Sequence, residues 1–321
     1  MNQKREGSEH CSNKDTQDKV PGRTIGITVM TLTIVFVAFW MNRQSNQLTS
    51  QDPSLSSTAS DFNQSLDGFR ADAWFLADDD LLGFVEIAAG PFIMGSNPTL
   101  DRMAYENERW SNLRRQGSVQ LPTFLISRFE TTVAQFDAFV QATQIQVAAA
   151  TLSGQPDQPV TNITWPQALA YARWLEQQLR ESQQTPARIQ QMLDSGASVT
   201  LPSEAEWEKA ARGTDGRVFP WGSQARTDRA NFNATAVRSV GSLACPECAH
   251  GLSDMSGNVW ELTRSPYQEY PYDSSDDNSN LSQDALWVMR GGSFSDAINS
   301  WPRKRIKPRL WGVCGCFTNV T

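Results

Sequence analysis

Histidine is almost missing from this chain. Its 321 residues hold two, His10 and His250. A three-histidine zinc or iron centre is therefore excluded, as is a two-histidine centre within the folded part. An excess of positive charge is also lacking: the net charge is −7, which disfavours non-specific nucleic-acid binding. Cysteine is scarce, at five residues. No internal repeat is present, and beyond Gly213 no helical pattern is evident. What the chain does hold is tryptophan, eleven of them, and a composition that is globular rather than disordered. Its length suits one large domain or two small ones.

One long apolar run exists. Thr24 to Met41 is uncharged, TIGITVMTLTIVFVAFWM, and eighteen residues are just enough to cross a bilayer. A cleaved signal peptide is the rival reading. The segment before the run is long for one, and Ala38-Phe39-Trp40-Met41 offers no small-x-small cleavage site. Lys4, Arg5, Lys14, Lys19 and Arg23 precede the run, and only Arg43 follows it closely. The positive-inside rule then leaves the N-terminus in the cytoplasm. The expected organisation is a cytoplasmic tail over 1–23, a single-pass inner-membrane anchor over 24–42, a Ser-, Asp-, Gln- and Asn-rich stalk over 43–81, and a periplasmic or otherwise extracytoplasmic domain over 82–321.

On that topology Cys11 is cytoplasmic, while Cys245, Cys248, Cys314 and Cys316 lie on the far side. An even number in an oxidising compartment favours disulfides. Cys245-Pro246-Glu247-Cys248 is a C-x-x-C, but no βαβ unit surrounds it as a thioredoxin-like site would need. A four-sulfur zinc site with Cys314 and Cys316 and free thiols are the alternatives.

Phe84–Ile87 and Gly90–Gly95 read as two short strands around a turn, and Val119–Phe129 has further strand character. Three helix starts carry one device. Thr132-x-x-Gln135, Thr164-x-x-Gln167 and Ser203-x-x-Glu206 each fit a capping box, in which hydroxyl and N3 side chain satisfy one another's backbone amides. The apolar faces would be Phe136, Phe139 and Val140; then Ala168, Tyr171, Ala172, Leu175 and Leu179; then Ala205, Trp207, Ala210 and Ala211, with Gly213 as the C-terminal stop. The segment after Gly213 is long and irregular. Such a segment needs metals, disulfides or large aromatics to hold it together.

The stretch Asp254-Met255-Ser256-Gly257-Asn258-Val259-Trp260-Glu261-Leu262-Thr263 meets that need. Gly257 and Asn258 are residue types that tolerate positive φ. A tight turn there would aim backbone carbonyls inward and bring Asp254 and Glu261 towards one point, an oxygen cage of the kind Ca²⁺ prefers. On spacing alone the same residues also fit a plain turn with a core tryptophan and two solvated acids. Near the C-terminus, Trp301-Pro302-Arg303-Lys304-Arg305-Ile306-Lys307-Pro308-Arg309 is a basic run in an acidic protein, either a solvated loop or an edge for an anionic ligand or partner. Trp260, Trp287 and Trp311 read as core rather than as a sugar platform.

Several motifs together carry a family likeness: Phe92-Ile93-Met94-Gly95-Ser96, Leu201 to Gly213, Phe219-Pro220-Trp221-Gly222, Asp254 to Thr263, and Arg290-Gly291-Gly292-Ser293-Phe294. In this order and spacing, residues 82 to 321 resemble the formylglycine-generating enzyme, or sulfatase-modifying factor, family. The resemblance implies an α+β domain of C-type-lectin-like fold, low in regular structure and held by calcium. It implies Ca²⁺ ligands at the side chains of Asp254 and Glu261 and the carbonyls of Gly257 and Val259. A second calcium site would begin at Asn231-Phe232, with no clear match for its later aspartate.

Catalytic family members oxidise a client sulfatase cysteine to formylglycine with O₂ and copper. They use two cysteines shortly after the Arg-Gly-Gly-Ser motif, which suit Cu(I). Here Asp296 and Trp301 occupy those places. The only later thiols, Cys314 and Cys316, stand where the family ends in Gly-Phe-Arg and are the sole candidates for a shifted Cu⁺ site. In lectin-like relatives this region forms the ligand surface, here Ser293, Asp296, Asn299, Arg303 and Arg305. The expectation is a membrane-anchored accessory, maturation or binding module stabilised by calcium, acting on an exported protein client or anionic ligand. The alternative is a true oxidase with relocated thiols.

Overall fold

The computed structural model describes residues 66–97, 99, 110, 113, 116–267, 270–277 and 285–297, together with the backbone of 311–312 and 316–319. The expected anchor at 24–42, Cys314, Asn299 and the basic run 301–309 lie outside the described residues. Among the described residues no helix is long and apolar enough to cross a membrane.

All three capping boxes form. They open α1 (Val133–Thr143), α2 (Trp165–Glu181) and α4 (Glu204–Arg212), with Thr132, Thr164 and Ser203 each accepting from the N3 amide. The expected stripes point inward. Phe136, Phe139, Tyr171 and Trp174 form one aromatic cluster with ring centroids 5.3–5.9 Å apart, at distances where edge and tilted contacts are favourable. Gly213 ends α4 at φ 63°, a left-handed stop that glycine adopts without strain. A further helix, α3 (Ala187–Asp194), has no capping side chain at its start. Only the amphipathic placement of Ile189, Met192 and Leu193 marks it, which explains why the signature at 186–194 gives no warning.

The strands are short. β1 (Phe69–Arg70) and β2 (Leu76–Ala77) form a small ribbon. A four-stranded sheet runs β3 (Phe84–Ile87), β6 (Phe124–Ser127), β11 (Cys316–Asn319) and β7 (Ala197–Thr200). β4 (Gly90–Met94) pairs with β5 (Gly117–Leu121). A three-stranded sheet runs β10 (Trp311–Gly312), β8 (Trp260–Pro266) and β9 (Trp287–Arg290).

Both strands expected at Phe84–Ile87 and Gly90–Gly95 form, as β3 and β4, which pair with β6 and β5. One expectation needs correction. The stalk does not reach residue 81. Ala73, Leu76 and Leu82 belong to the main apolar cluster with α1 and α2, and Phe75 O accepts from Gln135 Nε2 at 2.9 Å. Within 66–81, Ala73, Leu76 and Ala77 are buried, Phe69, Trp74 and Phe75 are half-buried, and Ala71 is exposed.

α4 is the hub. Its nine residues from Glu204 to Arg212 are all buried, five of them charged. Burying so much charge requires pairing. Arg290 of β9 supplies it, reaching Glu204 at 3.3 Å and Glu208 at 2.7 Å with its guanidinium 5.2 Å over the Trp207 ring. Arg212 pairs with Glu208 and donates to Gly95 O. Lys209 Nζ donates to the carbonyls of Ala88 and Gly90. Glu206 completes the capping box and pairs with Arg264 at 3.2 Å. The charged half of the motif is thus a scaffold that joins β4, α4 and β9.

Candidate metal centre and the neighbouring turn

β8 begins inside the Asp254–Thr263 stretch and sets its position. Thr263 is held on both sides, its Oγ1 donating to Val288 O and its carbonyl accepting from Trp165 Nε1. Upstream the chain makes the expected tight turn. Asp254, Gly257 and Asn258 have φ of 57°, 82° and 58°.

Asn258 is the pin of this turn and is fully buried. Its Nδ2 donates to Glu130 Oε2 at 2.6 Å and to Arg238 O at 3.3 Å. Its Oδ1 accepts from Asn231 Nδ2 at 3.0 Å and from Arg238 N at 2.9 Å. Its backbone donates to Asn231 O and accepts from Phe294 N. A buried amide with every group satisfied specifies one geometry.

Gly257 packs so close to Asn231 that a Cβ would lie 2.6 Å from that residue's carbonyl oxygen. With a positive φ as well, Gly257→Ala should lower the unfolding free energy by about 2–4 kcal/mol in urea titrations. A loss below about 1 kcal/mol would show that the turn is not so tightly held.

Three carboxyl groups gather at this turn. Asp254 Oδ2 accepts from Gly241 N at 2.7 Å. Glu261 Oε2 accepts from Trp207 Nε1 at 2.7 Å, tying the site to the hub helix. Glu130 Oε1 accepts from Val259 N at 3.2 Å. Among the described residues none of the three has an ion-pair partner. Burial raises all of them: Asp254 to about 6, Glu261 to about 8 with Asp254 adding to the rise, and Glu130 well above its ordinary value, with both other acids adding to it. Ser256 Oγ, also buried, has no partner among the described residues.

Clustered acids without a counter-charge are the chemistry of a cation site. Two of the four expected ligand oxygens face one space. A Cβ on Gly291 would sit 3.5 Å from Val259 O and 3.9 Å from Glu261 Oε1, and the absence of one leaves that space open. Among the described residues no three His, Cys, Asp or Glu side chains could hold an ion together. An ion here would therefore take two carboxylates, Asp254 and Glu261, and main-chain carbonyls. Glu130 sits behind the turn and orients it. Asn231 lies in the same site as the turn, its amide donating to Asn258 and to Ala236 O. Phe232 packs with Val218, Phe219 and Ala230.

Gly257 N donates to Gly291 O at 2.9 Å, so the turn is stitched to Arg290–Ser293. There Asp296 closes a second turn. Its Oδ2 accepts from Ser293 N at 2.9 Å and Ser293 Oγ at 3.0 Å. Asn233 N and Ala234 N donate to Asp296 O and Phe294 O. Beside Phe294 lies a cavity of about 290 Å³, bounded by Thr151, Gln158, Asn162, Ala236 and Val237. Of the expected ligand surface, Ser293 and Asp296 are thus described, and Asp296 has its carboxylate turned onto Ser293. Asn299, Arg303, Arg305 and Trp301 lie outside the described residues.

Cys245 and Cys248 are disulfide-bonded to each other, which removes them from any four-sulfur zinc site with Cys314 and Cys316. Cys316 lies in β11, between β6 and β7, with Ile126 and Thr200 as its cross-strand partners. Trp260 is core, and Trp287 stacks on Trp165 at 3.9 Å.

The family model described as "Sulfatase-modifying factor enzyme 1-like domain" matches residues 77–312. A hercynine oxygenase of Mycolicibacterium thermoresistibile is 28% identical over 219 residues, covering 56% of this chain and 43% of that protein. An inactive C-alpha-formylglycine-generating enzyme 2 of Bos taurus is 29% identical over 163 residues, covering 46% of this chain and 42% of that one. The chain thus spans less than half the length of these curated relatives. The structure of PvdO from Pseudomonas aeruginosa superposes with a TM-score of 0.56 at 21% identity, over 73% of this chain and 94% of that one, a likeness of fold.

Proposed function

The chain belongs to the family of sulfatase-modifying factor enzyme 1-like domains, and from that premise we propose that it is a non-oxidase member, an accessory, maturation or binding module that calcium stabilises. The family includes active enzymes as well as inactive or non-oxidase members, so membership alone does not decide the chemistry. One observation carries the proposal. At the place where the resemblance puts a copper-binding cysteine stands Asp296, and its carboxylate accepts two hydrogen bonds from Ser293. A hard, hydrogen-bonded carboxylate does not suit Cu(I), which prefers thiolate. The position clamps a turn and does not present a ligand.

On this reading Asp254, Glu261 and the carbonyls of Gly257 and Val259 hold Ca²⁺, whose charge offsets the buried acids. Glu130, Asn258 and Trp207 orient those groups and exclude water from them. Binding of an exported client or anionic ligand falls to the cavity beside Phe294 and the basic run 301–309. The run at 24–42 anchors the domain to the inner membrane, with the domain outside the cytoplasm.

The test is direct. The purified chain is given Cu(I) under a competing chelator, then a Cys-x-Pro-x-Arg peptide under O₂. We expect no stoichiometric copper binding and no aldehyde. Copper bound at one equivalent and lost in Cys314→Ser would establish the oxidase alternative with relocated thiols.

A further inference from the structure

We propose that Cys245–Cys248 is an exchanging disulfide, which takes electrons from a surface dithiol of a protein client, and not a structural brace. The inference is independent of the function proposed above.

The bond adds almost nothing to the fold. Cys248 N donates to Cys245 O at 3.1 Å, so the backbone already closes the turn that the sulfurs bridge. A cross-link between residues three apart removes little entropy from the unfolded chain, because the stabilisation grows with the loop enclosed. It joins no two elements of the domain.

The segment around it is fixed by other means. Arg229 Nη1 donates to Ala244 O at 2.9 Å, and Arg217 Nη1 to Glu247 O at 3.0 Å and to Pro220 O at 2.8 Å. The Glu247 carboxylate pairs with Arg229 at 2.7 Å and with Arg226 at 3.4 Å. Ala249 N donates to Pro220 O at 3.1 Å. None of these bonds involves a sulfur.

The bond is also reachable. Both cysteines are half-exposed, Pro246 and Glu247 between them are exposed, and neither cysteine belongs to an apolar cluster of the core. Two guanidiniums are anchored one residue ahead of each cysteine, at Ala244 and Glu247. Positive charge favours thiolate as the leaving group. Asp215, Asp228 and Glu247 pair with the arginines, so the charge is partly offset.

The exchange balances without a cofactor. A client thiolate attacks one sulfur of the pair, the Cys245–Cys248 bond breaks, and a mixed disulfide forms as the other cysteine leaves as thiolate. The client's second thiolate then displaces the first cysteine. The client leaves as a disulfide, two electrons stay on Cys245 and Cys248, and the two protons released by the client thiols match the two new thiolates. Exchange with any disulfide runs the step backwards.

The full chain tests this, with dithiothreitol and a two-cysteine peptide as probes. The redox state is read by alkylation and mass on the fragment carrying Cys245 and Cys248. The bond should be reduced while the chain stays folded, with the thermal midpoint moving by less than about 4 °C. The Cys245→Ser/Cys248→Ser double variant should keep the same midpoint. Of the single variants Cys245→Ser and Cys248→Ser, at least one should trap the peptide, supplied in its disulfide form, as a mixed disulfide, the remaining cysteine's thiolate attacking the peptide's bond and releasing one peptide thiolate. A larger fall in midpoint, a bond that resists the dithiol until the chain unfolds, or no trapped peptide with either single variant would each overturn the proposal.

Discussion

Arg290→Met lowers the unfolding free energy by about 3–5 kcal/mol, the range for removing one partner of a buried ion pair. The loss comes from what stays behind. Glu204 and Glu208 are buried, and Arg290 bridges both while its guanidinium lies over Trp207. Methionine fills similar space but removes the guanidinium from both carboxylates, while Glu204 keeps its hydrogen bond from Tyr270 Oη and Glu208 its pair with Arg212. Guanidinium unfolding of the full chain measures the effect. Arg290→Lys should recover only part of it, because an ammonium cannot present a planar fork to two carboxylates. In a Glu204→Gln background the same substitution should cost less, since one of the two carboxylates that Arg290 bridges is no longer charged. A loss below about 1 kcal/mol would mean that α4 and β9 are held by apolar contact alone.

The second large effect concerns calcium and pH together. Asp254 and Glu261 are raised to about 6 and about 8 by burial. In chelator, between the ordinary carboxylate range and these values, the native state binds more protons than the unfolded one. Stability must then fall as pH rises through this window. It should be greatest near pH 4, and about 3 kcal/mol should be gone by pH 8 from Asp254 alone. On the proposed reading Ca²⁺ should reverse the trend, because it would bind the ionised carboxylates with an affinity that rises as they lose protons. At one hundred times its dissociation constant it should add about 2.7 kcal/mol, a rise of about 5–11 °C in thermal midpoint.

Glu261→Gln separates the two contributions. It keeps an oxygen for Trp207 Nε1 but removes the charge. The calcium-dependent rise should vanish, while stability in chelator at pH 8 holds or improves. Glu261→Ala, which also strands the indole N–H, should lose stability in chelator too. An unchanged calcium response in Glu261→Gln would rule out a cation at this turn.

Much of this architecture is local and therefore legible in the sequence. The three capping boxes lie within four residues each, and all three open helices. The turn at Asp254–Asn258 is written in residue types that accept positive φ, and the backbone takes it there. The family likeness is also a matter of sequence, because it rests on ordered short motifs. α3 escaped notice because its start carries no capping side chain. Residues 66–81 escaped because they were read together with the longer stretch 43–81, whose Ser, Asp, Gln and Asn content masks the apolar Phe69, Trp74, Phe75 and Leu76 at its end.

Other decisions belong to the tertiary structure, and they share a physical cause. Each joins residues far apart in the chain whose meeting no periodicity announces. Glu130 reaches Asn258 across 128 positions, Trp207 reaches Glu261 across 54, and Arg290 reaches Glu208 across 82. From the sequence, Glu130 was one acid at a strand end, and Asp296 stood in a copper-cysteine place and on the expected ligand surface. Folding made the first the support of a buried carboxylate turn and the second a clamp on Ser293. The sequence by itself determined which residues were capable of holding a cation. Only the tertiary structure decided that they would be buried together, with no ion-pair partner among the described residues.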